Sequence, residues 1–489
     1  MTRSAGFALA WLCSAAACGS VSTKDPDAAV DPTDAPAAID APTPIDALLP
    51  IDAPPIDGFA CTPNAFESCS GDDAIFCNAA GNGTTTMACG APGCNATAGR
   101  CNTCIPNNVA CVNPTTLGTC GPDGLPAGTE SCALGCEVTG QAHCKYIVPV
   151  YLPNVCDTPA TSASFTAQTG TIDTSLDTNC NGGIVAQAGG PPICVIRHGT
   201  ISVPNGVTAT FIGGRAVALV ADTGLTITGT LDASASGTSN GPGGGTRAVS
   251  SGTSTATSGA GGGGGFVAGG NGGSTSSRGG GLAGGPVFDP LTSTVLLGGQ
   301  RAAIPSLLLG VAGGGGGGAV TLISCKGTVS VGSPAIIDVG GGGGDGGRDL
   351  IGGAQLDLRG GGGGGAGGYA VIQGAAVSLQ GNFYANGGGG GGGAINDSGG
   401  SANPGRDGSR TTTTAAPGGA SLGGTSGPGG VGAVGLSAPG PGEGGVSSPG
   451  GGGGATGRFQ VYTPLGVNPT IAPAGVSPRF EPSRNVQTR

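Results

Sequence analysis

Few residues of this chain are of a kind that does chemistry, and their spacing narrows what that chemistry could be. Asp232 and Asp338 hold equivalent places in two similar segments, TGTLDAS and SPAIIDVG. Two carboxylates brought together could hold calcium or, beside a base, take part in proton abstraction. The third equivalent position is Tyr384, which interrupts any acidic ladder, and an outward polar residue on a half-buried strand is the plainer reading. Gly340 to Asp345 meets the first six positions of the calcium-binding nonapeptide G-G-x-G-x-D. However, Gly347 stands where a large apolar residue belongs, and the motif is not repeated in tandem. The only two histidines are His143 and His198, and neither has a partner in sequence; a turn position is expected for each. Cys101-Asn102-Thr103-Cys104 has the spacing of a redox or zinc motif. No nucleophile motif, phosphate loop with lysine or zinc-finger spacing stands out. No catalytic residue, metal or cofactor is therefore expected.

The Cys-x-x-Cys spacing has a simpler origin. Cys61, Cys69, Cys77, Cys89, Cys94 and Cys101 recur as Cys104, Cys111, Cys120, Cys132, Cys136 and Cys144, with Gly93-Cys94 matched by Gly135-Cys136. The motif is the last cysteine of one copy followed by the first of the next. Modules of this size cannot bury enough apolar surface to fold on that alone, and exported domains make up the deficit with disulfides. Three bridges per module are expected, and six cysteines leave 15 connectivities open. Cys156, Cys180, Cys194 and Cys325 follow further on, so sixteen cysteines from Cys61 onward form an even set. All sixteen are expected in disulfides.

The elements that carry these residues begin with a signal. MTRSAGFALAWLCSAAACGS places Arg3 ahead of a short apolar run and then small residues, as secretory signal peptides do. Ala15-Ala16-Ala17 before Cys18 resembles a bacterial lipobox, which implies cleavage after residue 17 and a lipid on Cys18. An ordinary signal peptidase would cut the same bond and leave a freely secreted chain. Between Lys24 and Asp57 lie eight aspartates in a Pro/Asp/Ala sequence, which holds most of the formal charge of −10. Proline-rich, like-charged chain stays extended, so a disordered tether is expected over residues 18–60. The remainder is nearly neutral and has no basic patch, which argues against nucleic acid as a partner. The paired modules resemble the cysteine-rich, glycine-rich surface lipoproteins of gliding soil bacteria.

Beyond residue 145 the chain changes character. Glycine, 109 of 489 residues, gathers in runs at 261–265, 313–318, 340–344, 360–365 and 387–393. Between the runs lie three segments of one layout: 216–234, 319–340 and 369–387. Val217, Val320 and Ala370 correspond, as do Leu219, Leu322 and Ile372. Leu225 and Ile227 match Val329 and Val331, then Val377 and Leu379. Leu231 and Ala233 match Ile337 and Val339, then Phe383 and Ala385. Each copy reads as three short alternating strands, and alternation turns one side chain of every pair inward. Stacked copies would form three parallel sheets around an aliphatic interior. That resembles the right-handed parallel β-helix of pectate lyases and many surface adhesins. Residues 193–214 can supply an earlier rung and 458–462 a late strand. STVLLGG (293–299) and SLLLGV (306–311) offer further strands inside the long interval before Ala319. For the glycine runs two arrangements are open: a backbone-to-backbone lattice along one flank, or flexible loops.

The resulting expectation is an all-β chain in six parts. Residues 1–17 are a signal peptide, 18–60 a lipidated cysteine and tether, and 61–103 and 104–144 the two six-cysteine modules. Residues 145–475 form a glycine-rich right-handed parallel β-helix and 476–489 a tail. The expected role is that of a lipid-anchored structural or adhesive protein of the cell surface, without catalytic activity. It would touch the membrane through the lipid anchor only and meet surface or matrix polysaccharide or protein. The alternative is an extracellular polysaccharide lyase or hydrolase on the same fold, which the resemblance to pectate lyases implies.

Overall fold

The computed structural model describes residues 60–160, 163–245, 258–275, 281–287, 294–304, 311–349, 360–395 and 400–489. The signal, Cys18 and almost all of the tether lie outside these residues. Among the described residues every regular element is a strand except one 3-10 turn at Asp177–Asn179, and no helix is long and apolar enough to cross a membrane.

The two modules fold alike. Each has a three-stranded antiparallel sheet, Phe66–Ser70, Asp73–Cys77 and Thr84–Ala88 in the first and Val109–Asn113, Thr116–Cys120 and Pro126–Ser131 in the second. Both pair their cysteines first to third, second to fifth and fourth to sixth: Cys61–Cys77, Cys69–Cys94 and Cys89–Cys101, then Cys104–Cys120, Cys111–Cys136 and Cys132–Cys144. Their exits repeat as well. Asn102 N–H donates to Gly93 at 2.9 Å, and Lys145 N–H donates to Gly135 at 2.9 Å. The next residue then joins whatever follows. Thr103 N–H donates to Gly124 of the second module, and Tyr146 N–H to Arg489 at the chain's end.

The long copies stack in the register that their matching residues predict. In one parallel ladder Val217 faces Val320, which faces Ala370, and Leu219, Leu322 and Ile372 line up beside them. Leu225, Val329 and Val377 follow, and Leu231, Ile337 and Phe383 align in a second parallel ladder. All of these side chains belong to one buried cluster. Ile193–Val203 and Arg458–Pro464 extend the first ladder on either side. Residues 476–489 add Arg484–Thr488, which pairs with Arg458–Pro464 and with Ile147–Val148.

Two ladders, not three, carry the rungs. The first two strand pairs of each copy run on as single strands, Ala216–Ile227, Ala319–Val331 and Tyr369–Leu379. The register shifts between Ala221 and Gly224 and between Ser324 and Thr328. A bulge bends the strand there without ending its pairing, so no corner turn is needed.

The outward face of the first ladder is also covered. Val195, Ala218, Val220, Ile323 and Val371 pack with Ile147, Leu152, Leu296 and Tyr462 in a second buried cluster. Burial on both faces explains why AVALV and AVTLI read as unbroken apolar runs. Val150 N–H donates to Gln373 Oε1 at 2.8 Å, and the Cys156–Cys325 disulfide fastens the covering segment. Leu296 of STVLLGG serves this cluster but is not in a strand; Gly299 instead donates to Gly317. Most of SLLLGV lies outside the described residues.

The third flank is built of glycine. The amides of Gly387, Gly390 and Gly393 donate to Ala433, Gly430 and Gly427. Those of Gly388 and Gly391 donate to Gly365 and Gly362, and those of Gly389 and Gly392 to Arg406 and Asn403. Every third amide thus returns to the same neighbour. The carbonyls repeat the rule, accepting from Gly454 and Gly451, from Gly344 and Gly347, and from Gly419 and Leu422. This run therefore has six hydrogen-bonded neighbours, three by donation and three by acceptance. That is the geometry of a threefold extended helix packed among its own kind, with neighbouring backbone in place of the water that usually solvates such a helix. The lattice arrangement holds, and the glycine runs are buried.

Candidate functional site

Stacking the rungs brings Asp232 and Asp338 to adjacent positions in the second ladder, with Tyr384 next. A third residue, which nothing in the sequence singles out, lies across them. Arg410 Nε donates to Asp338 Oδ2 at 2.6 Å, and its Nη2 donates to Asp232 Oδ2 at 2.7 Å. The remaining oxygens are also engaged. Asp338 Oδ1 accepts from Gly340 N–H at 2.8 Å, and Asp232 Oδ1 accepts from the amide and hydroxyl of Ser234. The Asp338 side chain is only 3% exposed, and burial pushes its carboxyl up to about 6 in spite of Arg410. Burial pulls the Arg410 guanidinium down, but Asp338 and Asp232 outweigh it and hold the group above its ordinary value. The guanidinium stays charged and joins carboxylates from two adjacent strands, so the trio is a charge clamp between rungs.

The other candidates resolve in the same direction. Cys101 and Cys104 belong to separate disulfides and leave no thiolate for redox or zinc chemistry. Cys61, Glu67 and Cys77 come close enough to suggest a metal, but both sulfurs are consumed in one bridge. The nonapeptide-like stretch works for the lattice. Gly341, Gly342 and Gly344 donate to Asn386, Gly315 and Gly389, and Asp345 Oδ2 accepts from Ala312 N–H at 3.1 Å.

Both histidines lie in strands instead of turns. His198, on the first-ladder strand Ile193–Val203, stacks on Phe165 with centroids 5.1 Å apart, and burial lowers its pKa. His143, in the short strand His143–Cys144 of the second module, lies 5.7 Å from the Tyr146 ring and lines a cavity between that module and the rungs. All sixteen cysteines from Cys61 onward are paired, Cys180–Cys194 completing the eight bridges. The chain matches no protein-family model, no curated protein and no solved structure.

Proposed function

We propose that this chain is a lipid-anchored structural or adhesive protein of the cell surface, held to the membrane by Cys18 and raised from it by the Pro/Asp/Ala tether. The resemblance to the cysteine-rich lipoproteins of gliding soil bacteria points the same way. The observation that carries the reading is the complete pairing of sixteen cysteines in eight disulfides. Such bridges persist in oxidising compartments outside the cytoplasm. The rungs are read as a right-handed parallel β-helix, because connections between parallel neighbours in one sheet are overwhelmingly of that hand. A body closed by a lattice on one flank and cross-linked at its base offers a broad rigid surface. Surface or matrix polysaccharide or protein is the partner proposed for it.

The full chain, expressed in a bacterium that processes lipoproteins, tests this. Beads bearing the exported protein should be retained on surfaces coated with matrix polysaccharide, and the N-terminal fragment should carry a diacylglyceryl group on Cys18. Beads that elute like uncoated ones, or a protein recovered from the cytoplasm with free thiols, would refute it. The second reading, a lyase or hydrolase, draws on the adjacency of Asp232 and Asp338. Calcium-dependent release of unsaturated sugars from a uronate polymer would favour that reading.

A further inference from the structure

Where the second module meets the rungs there is a cavity of about 290 Å³. Its walls include His143, Tyr146, Asp157, Arg197, Asp222 and Lys326. Cys144, Cys156 and Cys325 also line it, so the Cys132–Cys144 and Cys156–Cys325 disulfides hold two of its walls. The cavity is therefore formed before any ligand arrives. Some of its charges are committed to the protein. Arg197 Nη2 donates to Asp222 Oδ1 at 3.0 Å, and Asp222 Oδ2 accepts from Ala160 N–H at 2.6 Å.

Others keep hydrogen-bonding capacity. Among the described residues Lys326 pairs with the half-exposed Glu130, at 3.5 Å, and an ammonium has three protons to donate. His143 Nδ1 lies 2.9 Å from the Gln141 carbonyl and so carries a proton, and in the neutral ring this leaves Nε2 as an acceptor. Asp157 Oδ1 accepts from Arg489, and its second oxygen remains an acceptor. Lys326 and Arg197 balance Asp157 and Asp222 in formal charge, so a charged ligand would gain little from the site as a whole.

We infer that this cleft binds one neutral sugar ring, the terminal residue of a glycan. A hydroxyl both donates and accepts, which suits a wall that mixes an ammonium with imidazole and carboxylate acceptors. The apolar face of a pyranose suits the His143 ring, which is backed by Tyr146, itself covered by the Arg489 guanidinium 5.6 Å from its centroid. The volume, at the lower end of small-molecule pockets, suits a single ring and not an oligosaccharide. The inference rests on the adhesive reading and gives it a ligand class.

Saturation-transfer NMR on the full exported chain tests it. The probes are the methyl glycosides of glucose, galactose and mannose, N-acetylglucosamine, and galacturonate as a charged comparator. At least one neutral probe should show transfer, and both Lys326→Met and His143→Ala should weaken its binding about tenfold, roughly one hydrogen bond, without lowering the melting temperature. Absence of transfer to every neutral probe, binding unchanged in both variants, or tighter binding of galacturonate would overturn it. Bead retention keeps the two ideas apart. Retention without transfer sinks the cleft and spares the adhesive role, whereas transfer without retention does the reverse.

Discussion

Replacing Gly364 by alanine tests whether the glycine flank is packed as tightly as its hydrogen bonds imply. A Cβ at that position would stand 2.6 Å from Gly388 C and 2.8 Å from Gly389 C, and closer still to Gly388 O. All of these are backbone atoms, which cannot swing aside as a side chain does. Contact is ordinary only from 3.4 Å, and with Gly388 O nearer than either carbon the 387–393 run must retreat by about 1 Å. Overpacking of this kind costs about 1–3 kcal/mol. The retreat also strains the bonds from Gly388 to Gly365 (3.0 Å) and from Gly391 to Gly362 (2.8 Å), each worth about 1 kcal/mol net. The expected loss is about 4 kcal/mol, close to three decades in an opening equilibrium. Gly224→Ala is the control. It sits in the first ladder with nothing within 4 Å of a new Cβ, and a compatible Gly→Ala change stabilises by up to about 1 kcal/mol. Urea unfolding with disulfides intact, together with hydrogen exchange at Gly388 and Gly391, reads the difference. Equal stability of the two variants, within about 0.5 kcal/mol, would refute the lattice.

Arg410→Gln leaves Asp338 buried without its counterion, and a stranded buried charge costs about 3–5 kcal/mol. The folded pKa of Asp338, already raised from 3.8 to about 6, should rise further. For an acid this means that ionisation disfavours the fold. The wild type should therefore lose stability as pH climbs from about 4 through about 6, and the variant's deficit should be largest near pH 7.5 and shrink toward pH 4.5. A deficit of the same size at both pH values would count against the clamp. Removing the Cys156–Cys325 bridge as a double serine variant opens a loop of 169 residues. The chain-entropy relation gives about 5 kcal/mol for it, and exchange should rise first at Ile147 and Val150 in the covering segment. Unchanged protection there would show that packing alone holds the cover. Leu322→Ala, at a fully buried position, should cost about 2–5 kcal/mol, measured by the urea midpoint. A loss under 1 kcal/mol would mean the inward stack is not the core.

How much of this was legible depends on whether a side chain carries the information. The stacking register of Leu219, Leu322 and Ile372 could be read because aliphatic pairs recur in the same order in all three segments, and one face must leave water. The duplication of the modules was equally plain in the cysteine spacing, but the pairing was not, since all fifteen connectivities satisfy parity. The number of sheets was misjudged because alternation looks the same across a corner and across a bulge. Arg410 was invisible. It comes from a glycine and threonine segment with no pattern, and only the fold carries it back to Asp338, 72 residues away.

The glycine flank is the harder case, because a run without side chains has no pattern from which to infer its neighbours. Its prolines carry part of the missing information. Glycine and proline together suggest low complexity, yet proline fixes φ near −65°, close to the value of a threefold extended helix. Its lack of an N–H is harmless wherever the lattice asks only for an acceptor. Pro417, Pro428 and Pro449 fill that role, taking hydrogen bonds through their carbonyls from Arg406, Glu443 and Gly361. In this chain, then, proline among glycines need not mark a break in structure, since it presets the conformation that the interior glycines reach only with six neighbours around them. The glycines carry the entropic cost of ordering and the prolines lower it where a ring can be tolerated. The composition that suggests disorder is the one such a lattice requires.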